Sequence, residues 1–205
     1  MSRFPRQDYH PLGLYDPGRT PVAVDLSDNT NLWGPHPAAL EAIRQAPGEA
    51  LTRYPSVYAG ALKDALARKL GVAPECVTTG CGSDDLLDSA FRAAALPPGR
   101  MVYPDPTFSM VEPFARMNGL EPLSVTWEEA EADPGRLLAT SPDLVYLCRP
   151  NNPTGLSATR QWVLELLSRV GPRGPVVVLD EAYADFAGEE LVQEAVASER
   201  LLVLR

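Results

Sequence analysis

Histidine, lysine and cysteine are scarce in this chain of 205 residues, and the shortages close off whole classes of chemistry. Two histidines, His10 and His36, are too few for a histidine metal cluster. The three cysteines, Cys76, Cys81 and Cys148, are odd in number and show no CxxC spacing. They read as reduced thiols of a cytosolic protein, not as a disulfide framework or a zinc site. No stretch approaches the ~18 consecutive apolar residues of a membrane span. The opening residues, MSRFPRQDYHPLG, carry no apolar core of a secretory signal. Positive charge is short as well. A formal net charge of -9 argues against nucleic acid or an anionic membrane as the main partner, while leaving room for a locally positive site.

What is present is ordinary for a folded protein. Hydrophobic residues make up 45% and charged residues 22%, enough for one well-buried domain and part of a second. The 21 prolines punctuate loops along the whole chain. Two stretches organise the rest: Leu144–Gly155, LVYLCRPNNPTG, and Val176–Phe186, VVVLDEAYADF. Each is a short apolar run that stops in polar residues, the pattern of a buried parallel strand opening into a loop at its carboxyl end. Ligands of open α/β sheets bind beyond such ends. Asn152 on one loop and Asp180 and Tyr183 on the other therefore face a common cleft.

Upstream, Met1 to Pro21 reads as an extended arm, and Val22–Leu26 as a short strand. Asp25–Pro35 is a loop rich in side chains that bond their own backbone, with Trp33 either a packing anchor or part of a ligand wall. Helices are predicted at Pro37–Gln45 and Ala59–Leu70. In the second, Leu62, Leu66 and Leu70 share one face, Lys63 and Lys69 point to solvent, and Gly71 suits a C-cap. A short strand, Cys76–Thr79, then runs into Gly80–Asp85, GCGSDD, and a helix from Asp84 to Ala95. Strand, glycine loop and helix start make an anion-binding design, because free N–H groups and the helix dipole both favour negative charge. A plain N-capped turn is the alternative. Met101–Tyr103 is a strand, followed by a turn and a helix from Phe108 to Asn118. Phe108 either lies over a planar ligand or joins the core. Leu123–Val125 is another strand, Glu128 to Pro134 an acidic solvated surface, Thr159 to Val170 a helix, and Leu201–Leu204 a final strand. This alternation predicts an α/β fold with a mostly parallel sheet flanked by helices.

An anion cradle at Gly82-Ser83-Asp84, a flat aromatic at Phe108, and Asn152, Asp180 and Tyr183 at strand ends suit a flat, phosphorylated heteroaromatic such as pyridoxal 5'-phosphate. A buried carboxylate beside its pyridine nitrogen would keep that nitrogen protonated and the ring a stronger electron sink. Here the motifs resemble a known family. Tyr54-Pro55, GCGSDD, PTFSM at Pro106–Met110, RPNNPTG at Arg149–Gly155 and LDEAYADF at Leu179–Phe186 resemble the fold-type I pyridoxal-phosphate aminotransferases, most nearly the histidinol-phosphate aminotransferase branch.

The resemblance implies a division at residue 35: an N-terminal arm over 1–35, and over 36–205 an incomplete cofactor-binding large domain that stops before a C-terminal small domain. It implies that Gly82, Ser83 and Asp84 bind the cofactor phosphate and that Tyr54 reaches the phosphate in a partner subunit, hence a homodimer. Phe108 would stack on the ring, Asn152 and Tyr183 would bond its oxygen, and Asp180 would pair with its nitrogen. The implied activity moves an amino group between an amino acid, histidinol phosphate in that branch, and 2-oxoglutarate. A threonine-phosphate decarboxylase-like or aromatic aminotransferase activity is the rival within the fold. A non-catalytic, phosphorylated-ligand-binding module of half length, and an unrelated nucleotide-binding domain, are rivals outside it. The family's Asn-Glu-Asn-Pro appears here as Asn29-Thr30-Asn31-Leu32, and its usual glycine-loop Asn as Cys81, which leaves the substrate open. Such enzymes hold the cofactor on a lysine. The lysines of this chain are Lys63 and Lys69, both on one predicted helix, so these residues alone are expected not to transaminate.

Overall fold

A computed structural model describes residues 5–13, 21–25 and 29–205. The parts of the expected arm and of the expected strand at 22–26 that fall on 1–4, 14–20 and 26 lie outside the described residues. Within them, Val22 and Val24 are exposed and form no strand.

The chain opens with helices α1 (Pro37–Gln45), α2 (Gly48–Thr52) and α3 (Gly60–Leu70). Pro37 at the first turn and the His36 ring accepting the Ala38 N–H start α1. Gly71, at φ +67°, ends α3 in the left-handed conformation that glycine adopts cheaply. The buried side of α3 differs from the expected leucine stripe. It centres on Ala67, with Lys63, Leu66 and Leu70 half-buried beside it, while Leu62 is 52% exposed. Positions 63, 66, 67 and 70 follow the helical repeat, and a lysine stem can lie along such a face. The strand expected at Cys76–Thr79 does not form. A 3-10 turn covers Pro74–Cys76, and none of the five strands runs beside 76–79 to complete a ladder.

The sheet follows α4 (Gly82–Ala94). Its strands are β1 (Gly99–Asp105), β2 (Leu120–Thr126), β3 (Leu144–Cys148), β4 (Val176–Asp180) and β5 (Leu201–Leu204), all parallel, in the order β2-β1-β3-β4-β5. Between them lie α5 (Val111–Met117), α6 (Trp127–Ala132), α7 (Arg160–Arg169), α8 (Ala184–Ala187) and α9 (Val192–Val196). Strand residues alternate between two cores, as a two-residue period requires. Met101, Tyr103, Leu144, Tyr146, Cys148 and Val178 pack with Leu87 and Phe91 of α4 and Val111 and Ala115 of α5. Val102, Val145, Leu147, Val177 and Leu179 pack on the other face with Ala130 of α6 and Val163 and Leu166 of α7. All five residues of β3 are buried, which is why its sequence reads as an unbroken apolar run.

The acidic segment Glu128–Pro134 is not simply a solvated surface. Most of it is α6, begun by a capping box between Thr126 and Glu129 and anchored by buried Trp127 and Ala130, with its glutamates outward.

Candidate active site

The chain runs from β1 outward to β2, then returns to place β3 on the other side of β1. At such a reversal, loops leave adjacent strand ends in opposite directions and open a crevice. The β1 loop carries Thr107 and Phe108, and the β3 loop carries Arg149 to Gly155. One strand further, β4 ends at Asp180, and Tyr183 follows at the start of α8.

Asn151 ties the first two loops together. Its Nδ2 donates to the Pro106 carbonyl at 2.9 Å and to Thr154 Oγ1 at 2.7 Å, and its Oδ1 accepts from Thr107 Oγ1 at 2.7 Å. Its backbone closes the turn, accepting from the Gly155 N–H and donating to the Leu156 carbonyl, both at 2.7 Å. Asn151 is thus fully engaged in the loop, and Asn152 next to it is half-buried.

Behind the loops lies a buried ion pair. Arg149 Nη1 meets Glu181 Oε1 at 3.1 Å, both side chains fully enclosed, while Nη2 reaches the exposed Glu189 at 2.6 Å and Nε donates to the Ala158 carbonyl. Glu181 also accepts the Leu191 N–H. Burial pushes the Glu181 carboxyl up and the Arg149 charge opposes it. A pair satisfied on all sides fixes the exits of β3 and β4 relative to each other, and losing one partner would strand a buried charge. Sequence reasoning missed this pair, although a signal existed. Cys148 and Asp180 are register partners, so the residues that follow them, Arg149 and Glu181, leave adjacent strands side by side with opposite charge.

Asp180 lies on the α4 side of the sheet and is 4% exposed. Tyr146 Oη donates to its Oδ2 at 2.9 Å, and the Ala182 N–H to its Oδ1 at 3.0 Å. Burial raises its pKa above the usual carboxylate range. The Ala182 amide and Tyr146 phenol pull it down, and the charge of Asp84 at the start of α4 pushes it up again. Cys148 beside it is no nucleophile: burial and the Asp180 charge push its thiol up to about 12.

At the N-terminus of α4, Cys81 caps the helix without a side-chain bond, and the Asp85 carboxylate takes the Cys81 N–H at 2.8 Å. Gly82 has φ +81° with open space where a Cβ would stand, and Ser83 and Asp84 follow in the first turn. The open glycine and the N–H groups of the first turn form a cradle of the right sign for an anion. A hollow of about 670 Å³ beyond it, between α4, α5 and Tyr9, shares Asp84 and is lined by charges of both signs, Asp85 and Asp88 with Arg6 and Arg92.

The structure thus gathers Gly82, Ser83, Asp84, Phe108, Asn152, Asp180 and Tyr183 around the carboxyl ends of the strands. Phe108 is half-buried against the α4-side core, the second of its two expected places. Tyr183 Oη accepts from Asn29 Nδ2 at 3.0 Å, which brings the Asn29–Gly34 loop to the cleft. Tyr54 stands apart, 99% exposed near Arg53 and Pro55. Trp33, 95% exposed, is no packing anchor among the described residues. Tyr146, Arg149 and Asn151 are the site's unexpected members.

The donor set fits pyridoxal phosphate. Asp180 is a buried carboxylate whose hydrogen-bond partners among the described residues are neutral, so a ring cation would stabilise it. The Gly82 cradle suits the phosphate.

The comparisons with known proteins agree. Histidinol-phosphate aminotransferase 1 of Trichormus variabilis is 32% identical over 202 residues, covering 95% of this chain and 57% of that protein. Histidinol-phosphate aminotransferase of Acetobacter pasteurianus is 36% identical over 212 residues, covering 100% of this chain and 58% of the relative. The crystal structure of histidinol-phosphate aminotransferase from Sinorhizobium meliloti, in complex with pyridoxal-5'-phosphate, superposes with a TM-score of 0.76 at 29% identity, covering 90% of this chain and 52% of that one. The chain therefore spans a little over half the length of these relatives. With residues 21–204 matched by the model for aminotransferase class I and II, the chain belongs to that family.

Proposed function

We propose that this chain forms the cofactor-holding part of a pyridoxal-phosphate-dependent aminotransferase that acts on histidinol phosphate and 2-oxoglutarate. The observation that carries the reading is Asp180, a buried carboxylate at a strand end with neutral hydrogen-bond partners, close enough to the open glycine cradle that the Asp84 charge acts on it. When bound, the cofactor supplies an electron sink for breaking bonds at the carbon that carries the amino group.

The chain's own residues would hold and orient it. The first turn of α4 at Gly82, Ser83 and Asp84 binds the phosphate through N–H groups and the Ser83 hydroxyl. Phe108 covers the ring, and Asn152 and the Tyr183 phenol bond its oxygen. Asp180 holds the proton on the ring nitrogen. The Asn151 and Arg149 networks keep these loops from shifting.

Both lysines, Lys63 and Lys69, lie on α3, away from the β3 and β4 loops in the chain's order. We therefore expect these 205 residues alone to bind the cofactor reversibly and not to transaminate. Titration with pyridoxal phosphate, followed by tryptophan fluorescence and the cofactor's absorbance, should give saturable binding, weakened about tenfold or more in Asp180→Ala. No saturable binding would sink the reading. Amino transfer by the whole protein, tested with histidinol phosphate, aromatic amino acids and threonine phosphate, decides between histidinol phosphate and its rivals.

A homodimer is part of the proposal. Trp33, Ile43, Leu51, Tyr54, Val57 and Tyr58 are all more than two-thirds exposed along residues 33–58, and exposed apolar residues gathered in one stretch of chain support a partner that covers them.

A further inference from the structure

Of the residues around the cleft, Tyr146 is the one whose place the sequence pattern of β3 hides. It sits mid-strand, fully buried, on the α4 side of the sheet with Cys148 and Asp180. Leu, Val or Ile would fill such a position without any polar atom. A phenol there must find an acceptor, or it costs free energy. Its acceptor is Asp180 Oδ2 at 2.9 Å. The ring cannot swing away, because Phe91 of α4 packs edge-on against it, centroids 6.2 Å apart at 76°. Register fixes the other end: Tyr146 pairs with Val178 and Cys148 with Asp180, so the phenol reaches diagonally across one strand spacing to the carboxylate. The Ala182 N–H takes the other oxygen at 3.0 Å. Together the two donors fix the rotation of the carboxylate, while each oxygen keeps a further lone pair.

We propose that Tyr146 is a positioning residue, holding the Asp180 carboxylate in the orientation in which it meets the cation of a protonated pyridine ring. The inference rests on the pyridoxal-phosphate reading above. Tyr146 does not touch the ligand. It acts through Asp180 and stays a donor throughout, since burial and the nearby Asp180 charge hold its phenol well above the ordinary range. A neutral donor leaves Asp180 its negative charge for the ring, whereas a cation at position 146 would spend that charge within the protein.

The test separates orientation from mere stability by comparing two probes. One is pyridoxal phosphate. The other is its 1-deaza analogue, which has C–H in place of the ring nitrogen and cannot form the contact with Asp180. The wild-type protein should prefer pyridoxal phosphate by about tenfold or more. Tyr146→Phe, which removes one oxygen, should lose most of that preference while its affinity for the analogue stays within about twofold. In an Asp180→Asn background, adding Tyr146→Phe should change neither affinity, because the residue through which it acts is already altered. If the wild type binds neither probe, or binds both alike, the cofactor reading fails. If the wild type discriminates and Tyr146→Phe discriminates equally, the positioning role fails and the cofactor reading stands. Should Tyr146→Phe not fold, Tyr146→Met fills the space without a donor and should lose the preference in the same way; a preference kept by that variant would overturn the role.

Discussion

Asp180 takes a negative charge into an interior that offers it one phenol and one amide. Burial lifts its pKa, so the folded protein holds this proton to a higher pH than the unfolded chain does. The resulting contribution to stability is full below the unfolded value, about 4, and is lost as pH rises through the folded one. Asp180→Asn removes the titration. Without added cofactor, the variant should gain stability relative to wild type as pH rises from about 4 toward neutrality, and the two should converge in acid. Urea unfolding across that range measures it, and a difference independent of pH would count against the assignment. The cost is typical of a site residue: the feature that weakens the empty fold is the one that can meet a cationic ring.

At the scale of elements, α4 and the strand ends divide the work. Leu87 and Phe91 press α4 onto the sheet, and its first turn is left open at Gly82. Because no atom lies within 4 Å of a Cβ built on Gly82, Gly82→Ala should lose only the ~1–2 kcal/mol of a left-handed non-glycine residue. Its methyl would stand in the cradle, however, so affinity for pyridoxal phosphate should fall by more than that stability loss implies. Thermal unfolding and titration on the same variant separate the two, and equal losses would show that the cradle is not the phosphate site. The helices α1, α4 and α7 and the strands β3, β4 and β5 were legible in the sequence, because apolar periodicity, Pro37, Thr159 and the polar stops after Cys148 and Asp180 are local signals. The absent strand at 76–79 was not legible. Its residues suit a strand, but a strand needs a neighbour, and neighbours are set by the sheet.

For the molecule as a whole, the apolar residues exposed between Trp33 and Tyr58 are the largest departure from a self-contained domain. If they meet a second copy, as the reach proposed for Tyr54 requires, sedimentation should show a dimer, and Leu51→Asp should shift it toward monomer. A wild-type monomer at micromolar concentration would remove Tyr54 from the site.

Sequence alone determined the α/β class and the two strand-ending motifs, and it put forward Gly82, Ser83, Asp84, Phe108, Asn152, Asp180 and Tyr183 as the proposed cofactor site. These follow from residue type and short spacing, and the family match supports the class of enzyme. Tertiary structure alone decided that Asn151 braces the loops, that Arg149 and Glu181 are a buried pair, and that Tyr146 donates to Asp180. The reason is physical. An apolar run reads alike whether its tyrosine fills space or donates a hydrogen bond, and only strand order and register determine what lies across from it.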